Sequence, residues 1–308
     1  MKKISIIIPA YNEEKNLTAI HQKLQNVFSK LSNYSYEIIF VNDGSNDGTQ
    51  EKLEELATQF SEIKFIEFSR NFGGQVALKA GLDNACGDAA ITLDADLQHP
   101  PELIPEMISK WENGCDIINM TRTYSTNTSL FKRKSSDYFY LILSKISDIE
   151  MKKGESDFKL IDKSVLKVIK RFNEDSLFLR GLYRWIGFKQ IYIQYESAER
   201  NAGETNYNST KLFRLAISGI TSFSEKPLHI ATYLGILFTV LSVVFFTFDV
   251  VTSLIYNRAI SGWSSIIVAI VFFGGMQMSI LGIIGLYIGK VFKQVKDRPS
   301  YIVRNKNF

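Results

Sequence analysis

Two long apolar runs limit what this chain can become: "ATYLGILFTVLSVVFFTFDVVTSLIY" at 231–256 and "SSIIVAIVFFGGMQMSILGIIGLYIG" at 264–289. Crossing the hydrocarbon of a bilayer takes roughly 20 helical residues, and each run exceeds that. From Ala231 to Gly289 only Asp249 and Arg258 are charged. A long core helix of a soluble protein usually keeps a polar stripe, and these runs have none. The pattern predicts two transmembrane helices. The short link "NRAISGW" makes them a hairpin with both ends on one side. Lys290, Lys293, Lys296 and Arg298 follow the second run, against a single Arg258 in the link. The positive-inside rule then places both ends, and everything before them, in the cytoplasm. Gly275 with Ser279 and Gly285 with Gly289 are spaced four apart, which lets helices approach closely within the hairpin or between subunits.

The net charge of +4 follows from the same end of the chain. Residues 290–308 hold six Lys or Arg against one Asp, +5, which leaves −1 for residues 1–289. The basic balance therefore gives no reason to expect nucleic acid. Cys86 and Cys115 show neither metal spacing nor a disulfide framework and are expected as core residues in a reducing cytosol. "MKKISIIIPA" has too short an apolar stretch for a secretory leader.

Ahead of the apolar runs, one grammar recurs. "ISIIIPAYNEE" reads as a buried strand, a loop and a helix reaching about Leu31. "YEIIFVNDGSNDGT" repeats it with a helix from about Asp47, and "IKFIEFSRNFGGQ" with a helix from about Gln75 to Ala85. "AAITLDADLQHPPE" is a fourth unit and "CDIINMTR" a fifth strand. Strands alternating with helices predict an α/β domain with a mostly parallel sheet covered on both faces. Ligands of such sheets bind beyond the carboxyl ends of the strands. Asn12–Glu13–Glu14, Asn42–Asp43, Arg70–Asn71, Asp94–Asp96 and Arg122 all fall there. The region to residue 208 forms this domain; 209–230 contains an expected interfacial amphipathic helix and linker, and 290–308 a basic tail. A helix from about Phe131 to Ile146 follows the basic loop 123–134, and "KQIYIQYESAERNAGETNY" adds a later strand.

Neither GxGxxG nor GxxxxGK[ST] follows a strand, so neither a dinucleotide fold nor a P-loop is expected. The rim is acidic instead. Asp94 and Asp96, two positions apart on an extended segment, can aim at one point. Like charges that close repel unless a cation lies between them. A hard divalent ion, Mg²⁺ or Mn²⁺, held by Asp94 and Asp96 would bridge them to phosphate oxygens. Asp43 and Glu13 are suited to accepting hydrogen bonds from a nucleobase or ribose.

"IPAYNEE", "DGSNDGT", "FSRNFGGQ", "DADLQHPPE", "DFKL" and "RNAGETNY", followed by the two apolar runs and "DRPSYIV", together resemble the family-2 glycosyltransferases, most of all the polyprenyl-phosphate branch. The resemblance covers nearly the whole chain. It implies a GT-A fold, a nucleotide-sugar donor, a divalent metal, and inverting transfer to a lipid phosphate. By that resemblance, Pro9, Tyr11, Glu13 and Asp43 line the nucleoside pocket, and Asp94, Asp96 and Gln98 hold metal and diphosphate. Asp157 lies near the reacting centre, while Arg122 and Arg200 contact phosphates. Two departures stand out. Asn42 takes the place of an Asp frequent in relatives, and "GETNY" replaces "GESKY", which leaves Lys132 or Arg133 to supply the missing cation. The expected donor is UDP-glucose, ahead of UDP-N-acetylglucosamine and GDP-mannose, and the acceptor undecaprenyl phosphate in the cytoplasmic membrane. The glycine faces and the family point to a homo-oligomer, a tetramer among the options. A DxD phosphohydrolase and a catalytically dead membrane scaffold are the rival readings.

Overall fold

The computed structural model describes residues 1–123, 154–174, 178–196, 224–256 and 262–308. The strands are β1 (Lys2–Ala10), β2 (Tyr34–Asn42), β3 (Ile63–Phe68), β4 (Ala89–Thr92), β5 (Ile117–Thr123), β6 (Glu155–Asp162), β7 (Gln190–Glu196) and β8 (Val303–Lys306). The helices are α1 (Glu14–Phe28), α2 (Thr49–Gln59), α3 (Gly74–Asn84), α4 (Ile104–Glu112), α5 (Lys163–Ile169), α6 (Leu179–Trp185), α7 (Lys226–Tyr256) and α8 (Trp263–Val295). Among the described residues the strands form one sheet in the order β7-β5-β6-β4-β1-β2-β3-β8.

The centre is built as the strand–helix alternation requires. β1 runs parallel to β2 and β4, and β2 parallel to β3. Ile4, Ile6 and Ile8 join the core under α1 and α4, while Ile7 faces the opposite layer with Ala77, Leu78 and Val165. The near-continuous apolar run of β1 is therefore the mark of a strand covered on both faces. α3 lies so close to β1 that a Cβ on Gly81 would meet Ile7 Cγ2 at 2.2 Å.

Two strands break the parallel pattern. β6 inserts antiparallel between β4 and β5, and β8 pairs antiparallel with the outer edge of β3. Sequence patterning anticipated neither. Asp157 sits within β6. The helix cap is Asp162, whose carboxylate accepts the Ser164 N–H.

A buried ion cluster ties β1, β2 and β3 together. Glu37 on β2 is 2% exposed and accepts from Lys3 Nζ at 2.7 Å, Lys64 Nζ at 2.9 Å, Ser5 Oγ at 2.6 Å and the Cys86 N–H at 3.1 Å. Burial alone would raise its pKa, but these donors outweigh it and hold the carboxyl down at about 2 instead of 4.5. A depressed folded-state value means the stabilisation is complete above the ordinary value and is lost as pH falls through the depressed one. Glu37→Gln is expected to cost about 2 kcal/mol, less than a fully dry pair because the lysine ends meet water. Urea unfolding at pH 7 and at pH 3 checks this, and the difference between variant and parent should shrink at the lower pH. Cys86 itself is exposed, contrary to its expected core position, because it follows the end of α3 and only its backbone turns inward; Cys115 is buried as expected.

α7 and α8 are long and apolar enough to cross a membrane. They pack against each other through Phe238 on Phe272, at 5.4 Å between ring centroids. Tyr287 Oη donates to the Ser224 carbonyl beside the start of α7 at 2.7 Å, so the helices run antiparallel and the hairpin begins and ends at one side. That side is the sheet domain's. Gln294 donates to the Asn173 carbonyl, and the chain beyond α8 continues into β8. The expected amphipathic helix at 209–223 and the helix at 131–146 lie outside the described residues.

Candidate active site

The ends of β1, β2 and β3 meet through side chain–backbone bonds. Asn12, at φ 58°, donates its N–H to Ser45 Oγ and accepts the Asn46 N–H on Oδ1. The Glu13 N–H donates to Thr49 Oγ1, while Glu13 Oε2 accepts from Asn16. Asp43 is 3% exposed, and its carboxylate accepts the N–H groups of Phe72 and Gly73 at 2.7 to 3.2 Å. Burial raises its pKa despite these bonds. Asn42 builds its own turn, accepting the Ser45 N–H and donating to Gln50. Gly44, at φ +66°, passes so close to the next loop that a Cβ would lie 2.4 Å from the Arg70 carbonyl carbon. Only glycine tolerates both demands. A cavity of about 270 Å³ opens over these loops, lined among others by Tyr11, Ser45, Asn46, Glu67, Arg70 and Arg304. Pro9 lies in β1 just before the loop. Of the expected nucleoside-pocket residues, Tyr11 lines this cavity; Asp43 and Glu13 brace the loops beside it.

Past the end of β4, Leu93, Ala95 and Leu97 point into the core and Asp94 stands at the rim, while Asp96, in the turn that follows, is buried at 6% exposure. Leu97 adopts φ 61°, which turns the chain so that Asp96 Oδ1 accepts the Gln98 N–H at 3.1 Å. His99 is buried, stacked on Phe158, and its Nδ1 accepts the Asp94 N–H at 3.0 Å. The ring proton therefore sits on Nε2, 3.6 Å from Asp94 Oδ2. The Asp94 side chain keeps 44% of its surface exposed. Protein still crowds it, and this desolvation, with Asp157 and Asp96 nearby, pushes its pKa up. Arg122 Nη2 donates to Gln98 Oε1 at 2.9 Å. Its Nε and Gln75 Oε1 are buried without a hydrogen-bond partner among the described residues.

Asp157 faces this rim from β6. Arg180 on α6 grips it with two parallel bonds, Nε to Oδ1 and Nη2 to Oδ2, both 2.9 Å. Gln75 Nε2 adds a third at 3.2 Å, and Thr92 Oγ1 donates to the Asp157 carbonyl. Burial works to raise the Asp157 pKa, but the Arg180 charge and hydrogen bonds win and hold it below the ordinary value. Behind it, buried Lys159 bonds Asn119 and Glu155, and Arg184 bonds Glu155. Arg180, Gln75 and His99 are the site residues that sequence patterning missed. Only the excess of acids at the rim hinted that a cation was required. Arg200, Lys132 and Arg133 lie outside the described residues.

Among the described residues no group of three or more His, Cys, Asp or Glu side chains could hold a metal ion. A carboxylate pair with unfavourable mutual charge nevertheless fits a hard divalent ion that takes its other ligands from phosphate oxygens and water.

The profile of Glycosyl transferase family 2 matches residues 5–170. An uncharacterized glycosyltransferase, YkcC of Bacillus subtilis, is 43% identical over 97% of this chain and 93% of its own length. A prophage bactoprenol glucosyl transferase homolog of Escherichia coli is 39% identical over 98% of each chain. The SfII prophage-derived bactoprenol glucosyl transferase of Shigella flexneri is 37% identical over 99% of this chain and 98% of its own.

Proposed function

The chain belongs to the family-2 glycosyltransferases, and on that premise we propose that it transfers a hexose, glucose from UDP-glucose first, to the phosphate of a polyprenyl lipid at the cytoplasmic membrane face. UDP-N-acetylglucosamine and GDP-mannose are the other donors to test. The observation that carries this reading is the union of an acidic rim with an apolar hairpin that starts and finishes at the rim's own domain. A polyprenyl tail cannot leave the bilayer, so its phosphate must be met at the interface. Relatives named as bactoprenol glucosyl transferases along nearly the full length support the same acceptor.

The reaction follows from charge. The acceptor is a phosphate monoester, largely dianionic near pH 7 because its second pKa is about 6. One of its oxygens attacks the anomeric carbon while the bond from that carbon to the donor diphosphate breaks. The nucleoside diphosphate leaves with the electron pair, and the configuration inverts. No proton need be removed from the nucleophile, and Asp157, locked by Arg180 with a depressed pKa, is poorly suited to removing one. Asp157 and Arg180 instead fix the geometry of the reacting groups. Arg122, with Arg200 and Lys132 or Arg133, neutralises phosphate charge, and Gln98 orients Arg122. A divalent cation held by Asp94 and Asp96 would supply electrostatic stabilisation of the leaving diphosphate.

The test incubates purified protein in detergent with undecaprenyl phosphate, Mg²⁺ or Mn²⁺ and radiolabelled nucleotide sugars. Label from one donor is expected in the organic phase. Label in none, or phosphate release without a sugar donor, contradicts the proposal.

A further inference from the structure

The segment that follows α8 does not trail into solvent. Val303–Lys306 adds an edge strand to β3, with Ile66 opposite Lys306 and Glu67 opposite Asn305. The Ser69 N–H donates to the Ile302 carbonyl at 3.0 Å, and the Phe65 N–H to Asn307 Oδ1 at 2.8 Å. Tyr301 stacks on Phe68, 5.1 Å between centroids. These anchors hold Arg304 at the edge of the cavity that Tyr11, Ser45, Asn46 and Arg70 line. One guanidinium nitrogen pairs with Glu67 Oε1 at 3.2 Å, while 64% of the side chain stays exposed. The guanidinium is thus aimed by a carboxylate but not buried by it.

Sheet order says which part of a donor would reach it. Asp94 and Asp96 follow β4, and β3 lies three strands away across β1 and β2. At about 4.8 Å per strand the separation is roughly 14 Å. A nucleoside diphosphate with its phosphates at the aspartates extends its base toward β3 and β8. Tyr11, 39% exposed, offers that base an aromatic face.

We propose that Arg304, returned to the sheet by the strand beyond the second apolar helix, binds the nucleobase of the donor and sets part of its base preference. This rests on the nucleotide-sugar reading above. Arginine carries donors only, so it reads the acceptor edge of a base. It favours the keto bases uracil and guanine over the amino bases cytosine and adenine at the equivalent edge. UDP and CDP differ only along that edge, O4 with N3–H against an amino group with a bare N3, which makes their ratio of affinities a readout of what contacts it.

Calorimetry on the full-length protein with Mn²⁺ and UDP, CDP, GDP or ADP tests the proposal. Wild type is expected to prefer the keto member of whichever pair it takes, UDP over CDP or GDP over ADP. Arg304→Ala should cut that ratio about tenfold. Arg304→Gln, whose amide both donates and accepts, should cut it similarly while preserving bulk. A wild type without keto preference, or variants that weaken both members equally, overturns the role of Arg304; equal weakening is what a merely structural ion pair with Glu67 would produce. A wild type that binds none of the four refutes the nucleotide-sugar reading itself, and the two failures are thereby told apart. Melting temperatures of the variants, expected near wild type because the side chain is exposed, exclude unfolding as the cause.

Discussion

Replacing Asp94 and Asp96 together by asparagine is expected to lower sugar transfer by at least ~10³-fold, with the fold intact. Loss of a single preorganised electrostatic partner of developing charge commonly costs about 10²–10³ in kcat, and this pair is proposed to hold the cation that carries the diphosphate. The backbone argument for an intact fold is specific. His99 is oriented by the Asp94 N–H, which asparagine retains. Gln98 donates its N–H to Asp96 Oδ1, and an asparagine carbonyl can accept the same bond. Relief of repulsion among Asp94, Asp96 and Asp157 should leave the double variant as stable as the parent, or slightly more so. Initial rates over a range of Mn²⁺ concentrations, with thermal unfolding alongside, check both halves. A double variant that keeps a tenth of the wild-type rate would remove the aspartates from the chemistry.

Arg180→Ala should be the second largest lesion, about 10²-fold in kcat with a smaller change in donor affinity. Arg180 positions Asp157 through a two-bond fork that lysine cannot reproduce, so Arg180→Lys is expected to recover only part of the rate. The pH profile distinguishes this role from general support of the fold. In the parent, Asp157 is ionised throughout the working range because its pKa is depressed. Without Arg180, burial acts unopposed by its largest counterweight and the pKa rises. The variant should then lose activity more steeply as pH falls than the parent, whose own acid limb comes from protonation of the acceptor phosphate near pH 6. Asp157→Asn cannot ionise and should show no such added loss. Stability should fall by about 1–3 kcal/mol, since a largely buried carboxylate loses its partner.

Strand-by-strand legibility had a physical boundary. The first three strand–helix units lie within a few residues of their expected positions: α1 ends at Phe28 rather than about Leu31, α2 starts at Thr49 rather than about Asp47, and α3 spans Gly74–Asn84. Those units are local, and apolar periodicity together with Gly and Asn at the turns reports them directly. The fourth strand was legible for the same reason, but the alternation expected past it was not kept: the chain turns at 95–97, which leaves Asp94 part-exposed and Asp96 buried. β6 and β8 were hidden because their pairing is long-range. β8 meets β3 across more than 200 residues of chain, and four residues with exposed faces carry no periodic signal. Arg180 pairs with Asp157 only because α6 packs beneath β6. A charge on one short helix does not announce its partner. The apolar hairpin was legible from composition alone, but its attachment to Asn173 and to β3 was not.

The most direct measurement of the central claim is Mn²⁺ electron paramagnetic resonance on the full-length protein, with and without UDP. Wild type should quench the free Mn²⁺ signal, more strongly once UDP is added, and the Asp94→Asn, Asp96→Asn double variant should lose most of that quenching. Equal quenching by wild type and double variant in the presence of UDP would contradict a cation held at the end of β4.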